Sequence, residues 1–68
     1  MNKLKINGKE HSFDTLPENL TQLLEKLNIQ AETVVAEVDG RIVERENFPK
    51  TKLSEGQAIE LIRFVPGG

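Results

Sequence analysis

The sequence predicts an α+β domain: a mixed sheet of four to five strands with one main helix packed across it. The predicted order is strand, strand, helix, strand, strand, 3₁₀ segment, strand. Three observations predict this. Apolar and polar residues alternate in "KLKI" near the start and again where Ile59 and Leu61 alternate with Ala58 and Glu60, the two-residue period of a half-buried strand. Between them, Leu20, Leu23, Leu24 and Leu27 fall at i, i+3, i+4 and i+7, one stripe of an amphipathic helix. Asn7-Gly8 and Asp39-Gly40 are the dipeptides that close tight hairpins.

The opening stretch "KLKINGKEHSF" sets Leu4 and Ile6 on one face and Lys3, Lys5 and Asn7 on the other. A type I′ turn demands positive φ at both central residues, which Asn7-Gly8 supplies. A second strand then returns with His11 and Phe13 on one side and Glu10, Ser12 and Asp14 on the other. Lys3, Lys5 and Lys9 read as the solvated face of this hairpin. Asn19 caps the helix, and Gln22, three residues on, stands in the capping-box position. Pro17 fits a turn before the helix or the first turn of a slightly earlier start. "TVVAEVDGRIV" returns to strand chemistry, with Val34, Ala36 and Val38 alternating with Val35, Glu37 and Asp39. The Asp39-Gly40 turn leads to a short strand through Ile42 and Val43. "ERENFPKTKLSEGQ" is polar and turn-rich, a short irregular or 3₁₀ segment anchored by Phe48 and Leu53. Residues 54–57 turn the chain into "AIELIRFV", and Pro66, with no amide hydrogen to donate, stops regular pairing by Val65. This order is the layout of a β-grasp domain, one helix lying across a mixed sheet. In that fold the last strand runs parallel beside the first, in the middle of the sheet. The domain is read as residues 1–64 and the tail as residues 65–68.

A chain of 68 residues makes one domain, burying about 60% of the surface that its unfolded form exposes. That leaves no room for a core and a deep substrate cleft together, so catalysis by this chain alone is not expected. Without cysteine there is no disulfide, thiolate metal site or cysteine nucleophile, and a reducing compartment is compatible. No run reaches the roughly 18 apolar residues of a membrane span, and no charged-then-apolar leader opens the chain. A cytoplasmic protein without membrane contact is the expectation. Nine basic residues against eleven acidic ones leave a net charge of −2, with no basic patch for nucleic acid. His11 is the lone histidine; with no second histidine or cysteine to share a metal, it reads as a structural or surface residue. Glu44, Arg45 and Glu46 are adjacent in a polar loop and read as solvated, not as an acid–base site. "SEGQ" lacks the glycine and lysine arrangement of a phosphate loop. No catalytic, metal-binding or cofactor-binding residue is assigned.

On the last strand, Ile59 and Leu61 are assigned to the core face, and Ala58, Glu60, Ile62 and Phe64 to the other. Ile62 and Phe64, joined by Val35, then form an apolar patch on the open side of the sheet, the kind that marks a docking surface. The competing reading folds Phe64 over an edge of the core. Arg63 either flanks the patch or serves solubility. Beyond Phe64 stand Val65, Pro66, Gly67 and Gly68. Four extended residues reach about 13–14 Å, enough to thread into a partner's narrow channel, which the missing Cβ of glycine suits. The α-carboxylate of Gly68 is ionised at neutral pH, an adequate nucleophile but a very poor acyl donor. Attack on the α-phosphate of a nucleotide converts it to an acyl-adenylate, whose leaving group a sulfur or nitrogen nucleophile displaces. The tail reads as a substrate for another enzyme.

A β-grasp domain ending in Gly-Gly resembles the ubiquitin-like sulfur carriers, and in particular the ThiS family of thiamine biosynthesis. The similarity covers essentially the whole chain. It is best over "VVAEVDGRIVERENFPKTKLSEGQAIELIRFVPGG", which matches that family's strand and DG-type turn, "V-x-R-E-x-W/F", "L-x-E-G-D-x-I-E" and terminal "GG". Val43, Arg45, Glu46 and Phe48 fit the first of these motifs; Leu53, Glu55, Gly56, Ile59 and Glu60 fit the second. Gln57 stands where the family often has Asp, and Pro66 replaces a more flexible residue. The resemblance implies that an ATP-dependent adenylating enzyme of the ubiquitin-activating type forms the Gly68 acyl-adenylate. Sulfur from cysteine, passed on by a desulfurase, then yields a thiocarboxylate, which thiazole synthase consumes. It implies no bound cofactor; ATP is used by the activating partner. A chain without a thiol agrees with sulfur carried at the C-terminus. Two other readings stand beside this one: a carrier of another pathway, like the small subunit of molybdopterin synthase, and a non-covalent ubiquitin-like interaction module.

Overall fold

In the computed structural model, which describes residues 2–64, both dipeptide turns close hairpins. Asn7 and Gly8 adopt φ of 51° and 82°, and Asp39 and Gly40 adopt 50° and 83°. They join β1 (Lys3–Ile6) to β2 (Lys9–Ser12) and β3 (Val34–Val38) to β4 (Arg41–Val43). Between the hairpins lies α1 (Leu20–Lys26), and after them comes β5 (Ala58–Arg63). The five strands form one sheet in the order β2-β1-β5-β3-β4. β5 runs parallel to β1 and antiparallel to β3. This is the mixed sheet of the β-grasp fold, with the last strand at its centre.

Alternation places Leu4 and Ile6, Val34, Ala36 and Val38, and Ile59 and Leu61 on one face, where they are buried against Leu20, Leu23 and Leu24 of α1. Phe48 and Leu53 close the core from the polar stretch. That stretch forms a 3₁₀ helix over Arg45–Lys50, as its turn-rich composition predicts. A second 3₁₀ turn over Ala31–Thr33 was not predicted; three residues are too few to show a period.

The start of α1 is built as a capping box, shifted by one residue. Asn19 Oδ1 accepts the Gln22 amide at 2.8 Å, while Gln22 Oε1 accepts the amide of Glu18 at 2.9 Å. Pro17 precedes the helix and is fully buried. The expected stripe residue Leu27 is the C-cap, half-buried against the core.

One expectation changes. Lys9 does not share a face with Lys3 and Lys5. A two-residue turn pairs its flanking residues directly, so Ile6 faces Lys9 in register, and Lys9 stands on the helix side of the sheet. Regular pairing of the last strand ends at Arg63, within the limit at Val65 that Pro66 sets. The reading of residues 65–68 as a tail lies outside the described residues. No helix among the described residues is long and apolar enough to cross a membrane.

Candidate functional site

β5 leads into residues 65–68, and β5 is held from both sides. Beyond its backbone ladders it receives two side-chain clamps from the hairpin turns. Asn7 Nδ2 donates to the Leu61 carbonyl at 3.2 Å, and Asn7 Oδ1 accepts the Leu61 amide at 2.7 Å. The side chain thus continues the parallel β1–β5 ladder after the β1 backbone has turned away. At the other end, Asp39 Oδ1 accepts the Ala58 amide at 3.0 Å, and its Oδ2 accepts from Gln57 at 3.3 Å. Sequence reading gave Asn7 and Asp39 only a turn role. Left-handed φ explains the residue type at both positions, so nothing in the sequence called for a second role. The last described residue is anchored too: the Phe64 amide donates to the Thr33 carbonyl at 3.0 Å.

The open face of the sheet carries the predicted apolar residues. Val35 and Ile62 are directly paired across β3 and β5. Val35 is 40% exposed, Ile62 51% and Phe64 48%. Phe64 is not among the residues packed against the core, which removes the reading that folds it over an edge. Ile42, at 67% exposure the most exposed large apolar residue described, joins the same face by pairing with Glu37. It was missed because a strand of three residues shows no alternation. Between these apolar groups, Glu37 and Glu60 stand directly opposite each other.

Arg63 pairs with buried Val34, so it points to the helix side and does not flank the patch. His11 pairs with Leu4 on that same side and is half-buried. Val65, Pro66, Gly67 and Gly68 lie outside the described residues.

With this geometry in view, the comparisons are specific. A model of the ThiS family matches residues 4–68. The chain belongs to the ThiS family. It is 26% identical over 65 residues to the sulfur carrier protein ThiS of Bacillus subtilis, covering 96% of this chain and 98% of that protein. The crystal structure of the thiamine biosynthesis protein ThiS from Geobacter metallireducens superposes with a TM-score of 0.83 at 40% identity, covering 97% of this chain and 99% of that one. A solution structure of a thiamine biosynthesis protein from the same organism gives 0.78 at 40% identity, covering 97% and 87%. The ThiS match runs through both terminal glycines.

Proposed function

We propose that this chain is a sulfur carrier of thiamine biosynthesis whose working group is the carboxylate of Gly68. The carrying observation is that the ThiS family match extends through residue 68 in a chain without a single thiol. A sulfur held covalently then has the C-terminal carboxyl as its handle. In the proposed cycle, a carboxylate oxygen attacks the α-phosphorus of ATP on an adenylating enzyme, and pyrophosphate leaves. Hydrosulfide then attacks the acyl carbon, AMP leaves with the bonding electrons, and a thiocarboxylate remains. Where a desulfurase supplies the sulfur as a persulfide, the first product is an acyl disulfide, and a thiol reductant releases the thiocarboxylate. Thiazole synthase is the acceptor. The chain is the co-substrate of these enzymes and not itself an enzyme.

β5 supports this reading by holding the root of the tail. Val65, Pro66, Gly67 and Gly68 thread into the partner, and Ile62 and Phe64, with Val35, dock on its surface. Incubation with ATP, a purified adenylating enzyme and a sulfide source is expected to replace one terminal oxygen by sulfur, read by intact-mass spectrometry. Deleting Gly68, or adding one phenylalanine after it, is expected to abolish the product and leave the fold intact, because the core residues all lie between positions 4 and 61. A wild-type chain that gains no sulfur would favour the non-covalent module. Acceptance of the product by molybdopterin synthase, but not by thiazole synthase, would move the carrier to the other pathway.

A further inference from the structure

The root of the tail has a second surface, on the helix side of the sheet. There a groove opens beside β2, with an apolar floor made by Ile6, Leu61, Leu27 and Ile29. Lys9, His11 and Arg63 line the same groove. Register dictates this arrangement. Lys9 pairs with Ile6, His11 with Leu4, and Arg63 with Val34, so each basic residue shares the face of a buried apolar partner. α1 spans only seven residues and stops before it covers this corner. Among the described residues no aspartate or glutamate lines the groove. Among the described residues the one ion pair, Lys3–Glu10 at 3.7 Å, stands on the open face. In a chain of net charge −2, this corner concentrates positive charge that has no acidic partner among the described residues, over an aliphatic floor.

We propose that this groove is a second docking surface, and that its occupant is a segment of the adenylating enzyme presenting a carboxylate beside one or two aliphatic side chains. The proposal rests on the carrier cycle above. Complementarity selects the occupant. Leu27 and Ile29 are only half-buried, so covering them removes further apolar surface from water. The guanidinium of Arg63 takes a carboxylate through two parallel hydrogen bonds, and Lys9 adds steering at longer range. Position points to an enzyme that receives the tail, since Arg63 stands two residues before it, and the adenylating enzyme is the first of these in the proposed cycle. The apolar patch lies on the opposite face of β5, and an enzyme engaging both grips the tail root from two sides.

The test uses the full chain and a purified adenylating enzyme of the pathway. In methyl NMR spectra of the labelled wild type, the methyl groups of Ile6, Leu27, Ile29 and Leu61 are expected to shift or broaden when unlabelled enzyme is added. A response confined to Val35, Ile42 and Ile62 overturns the groove. So does a shift of the Ile6, Leu27, Ile29 and Leu61 methyl groups with ATP alone, or with raised concentration of the chain alone, which assigns the groove to a nucleotide or a second copy. The double variant Lys9→Glu/Arg63→Glu is expected to bind the enzyme on the order of tenfold more weakly. Arg41→Glu/Lys50→Glu, with the same change in charge elsewhere on the surface, stays within about threefold of wild type. Equal affinity of wild type and the Lys9/Arg63 variant, with native spectral dispersion retained, overturns the groove and leaves the carrier cycle standing. If the wild type gains no sulfur with this enzyme, the cycle fails and the groove's assignment fails with it.

Discussion

Asn7 joins two tasks in one side chain. Its backbone takes the left-handed φ that the turn requires, and its amide pairs with both backbone groups of Leu61. The tasks separate by substitution. Asn7→Gly keeps the turn and removes only the amide, so Leu61 loses both of its partners on that side. Each hydrogen bond contributes about 0.5–1.5 kcal/mol, and the pair is part-buried, so a loss of about 1–2 kcal/mol is expected. Asn7→Ala adds the cost of a left-handed alanine, about 1–2 kcal/mol more. Denaturant unfolding should therefore rank wild type above the glycine variant and the glycine variant above alanine, and the Leu61 amide should exchange faster in both. A glycine variant as stable as wild type, with Leu61 equally protected, would remove the clamp from the account.

At the scale of the element, α1 shows what sequence reading reaches and where it stops. The leucine spacing and the Asn19 cap were legible because both are local: a period of 3.6 and a side chain that bonds an amide three residues on. The end was not anticipated, although it follows a known pattern. Asn28 sits at φ 60°, its amide donates to the Glu25 carbonyl at 3.1 Å, and the Ile29 amide donates to the Leu24 carbonyl at 2.9 Å. This is a Schellman ending with asparagine in the left-handed position, and Asn28 after the leucine run was the available signal. Asn28→Ala is expected to cost about 1–2 kcal/mol, whereas Asn28→Gly should leave stability within about 0.5 kcal/mol of wild type. In a domain of this size 1 kcal/mol moves the melting temperature by about 4–8 °C, so calorimetry separates the two. Equal melting temperatures for both variants would show that the helix end does not depend on this conformation. The strands were legible for the same local reason, and the parallel placement of β5 was not. Two strands far apart in sequence carry no mutual signal, and that placement came from the fold alone.

At the scale of the whole molecule, the sheet separates the core from the apolar patch. One face carries the core and the other carries Val35, Ile42, Ile62 and Phe64 in water. Val35, Ile62 and Phe64 were legible from the alternation of β3 and β5, and Ile42 was not. The groove on the helix side was not, because it depends on where α1 ends and on the direct pairing of Ile6 with Lys9. In the middle of the open face stands the Glu37–Glu60 pair. Like charges directly opposite in a sheet are destabilising, by about 0.2–1 kcal/mol, and Lys5, set against Ala58 one strand over, is only a diagonal neighbour of Glu60. A partner that brings a cation to this point, between the apolar groups, relieves the repulsion and gains both carboxylates. Glu60→Gln should then act in opposite directions on the two properties. The free domain should melt higher, by the few degrees that about 0.5 kcal/mol provides, while affinity for the adenylating enzyme falls several-fold at low salt and less at high salt. Thermal unfolding and titration calorimetry on the same variant read both. A variant that melts higher and binds as tightly as wild type would leave the acidic pair a plain liability of the fold and confine docking on the open face to its apolar residues.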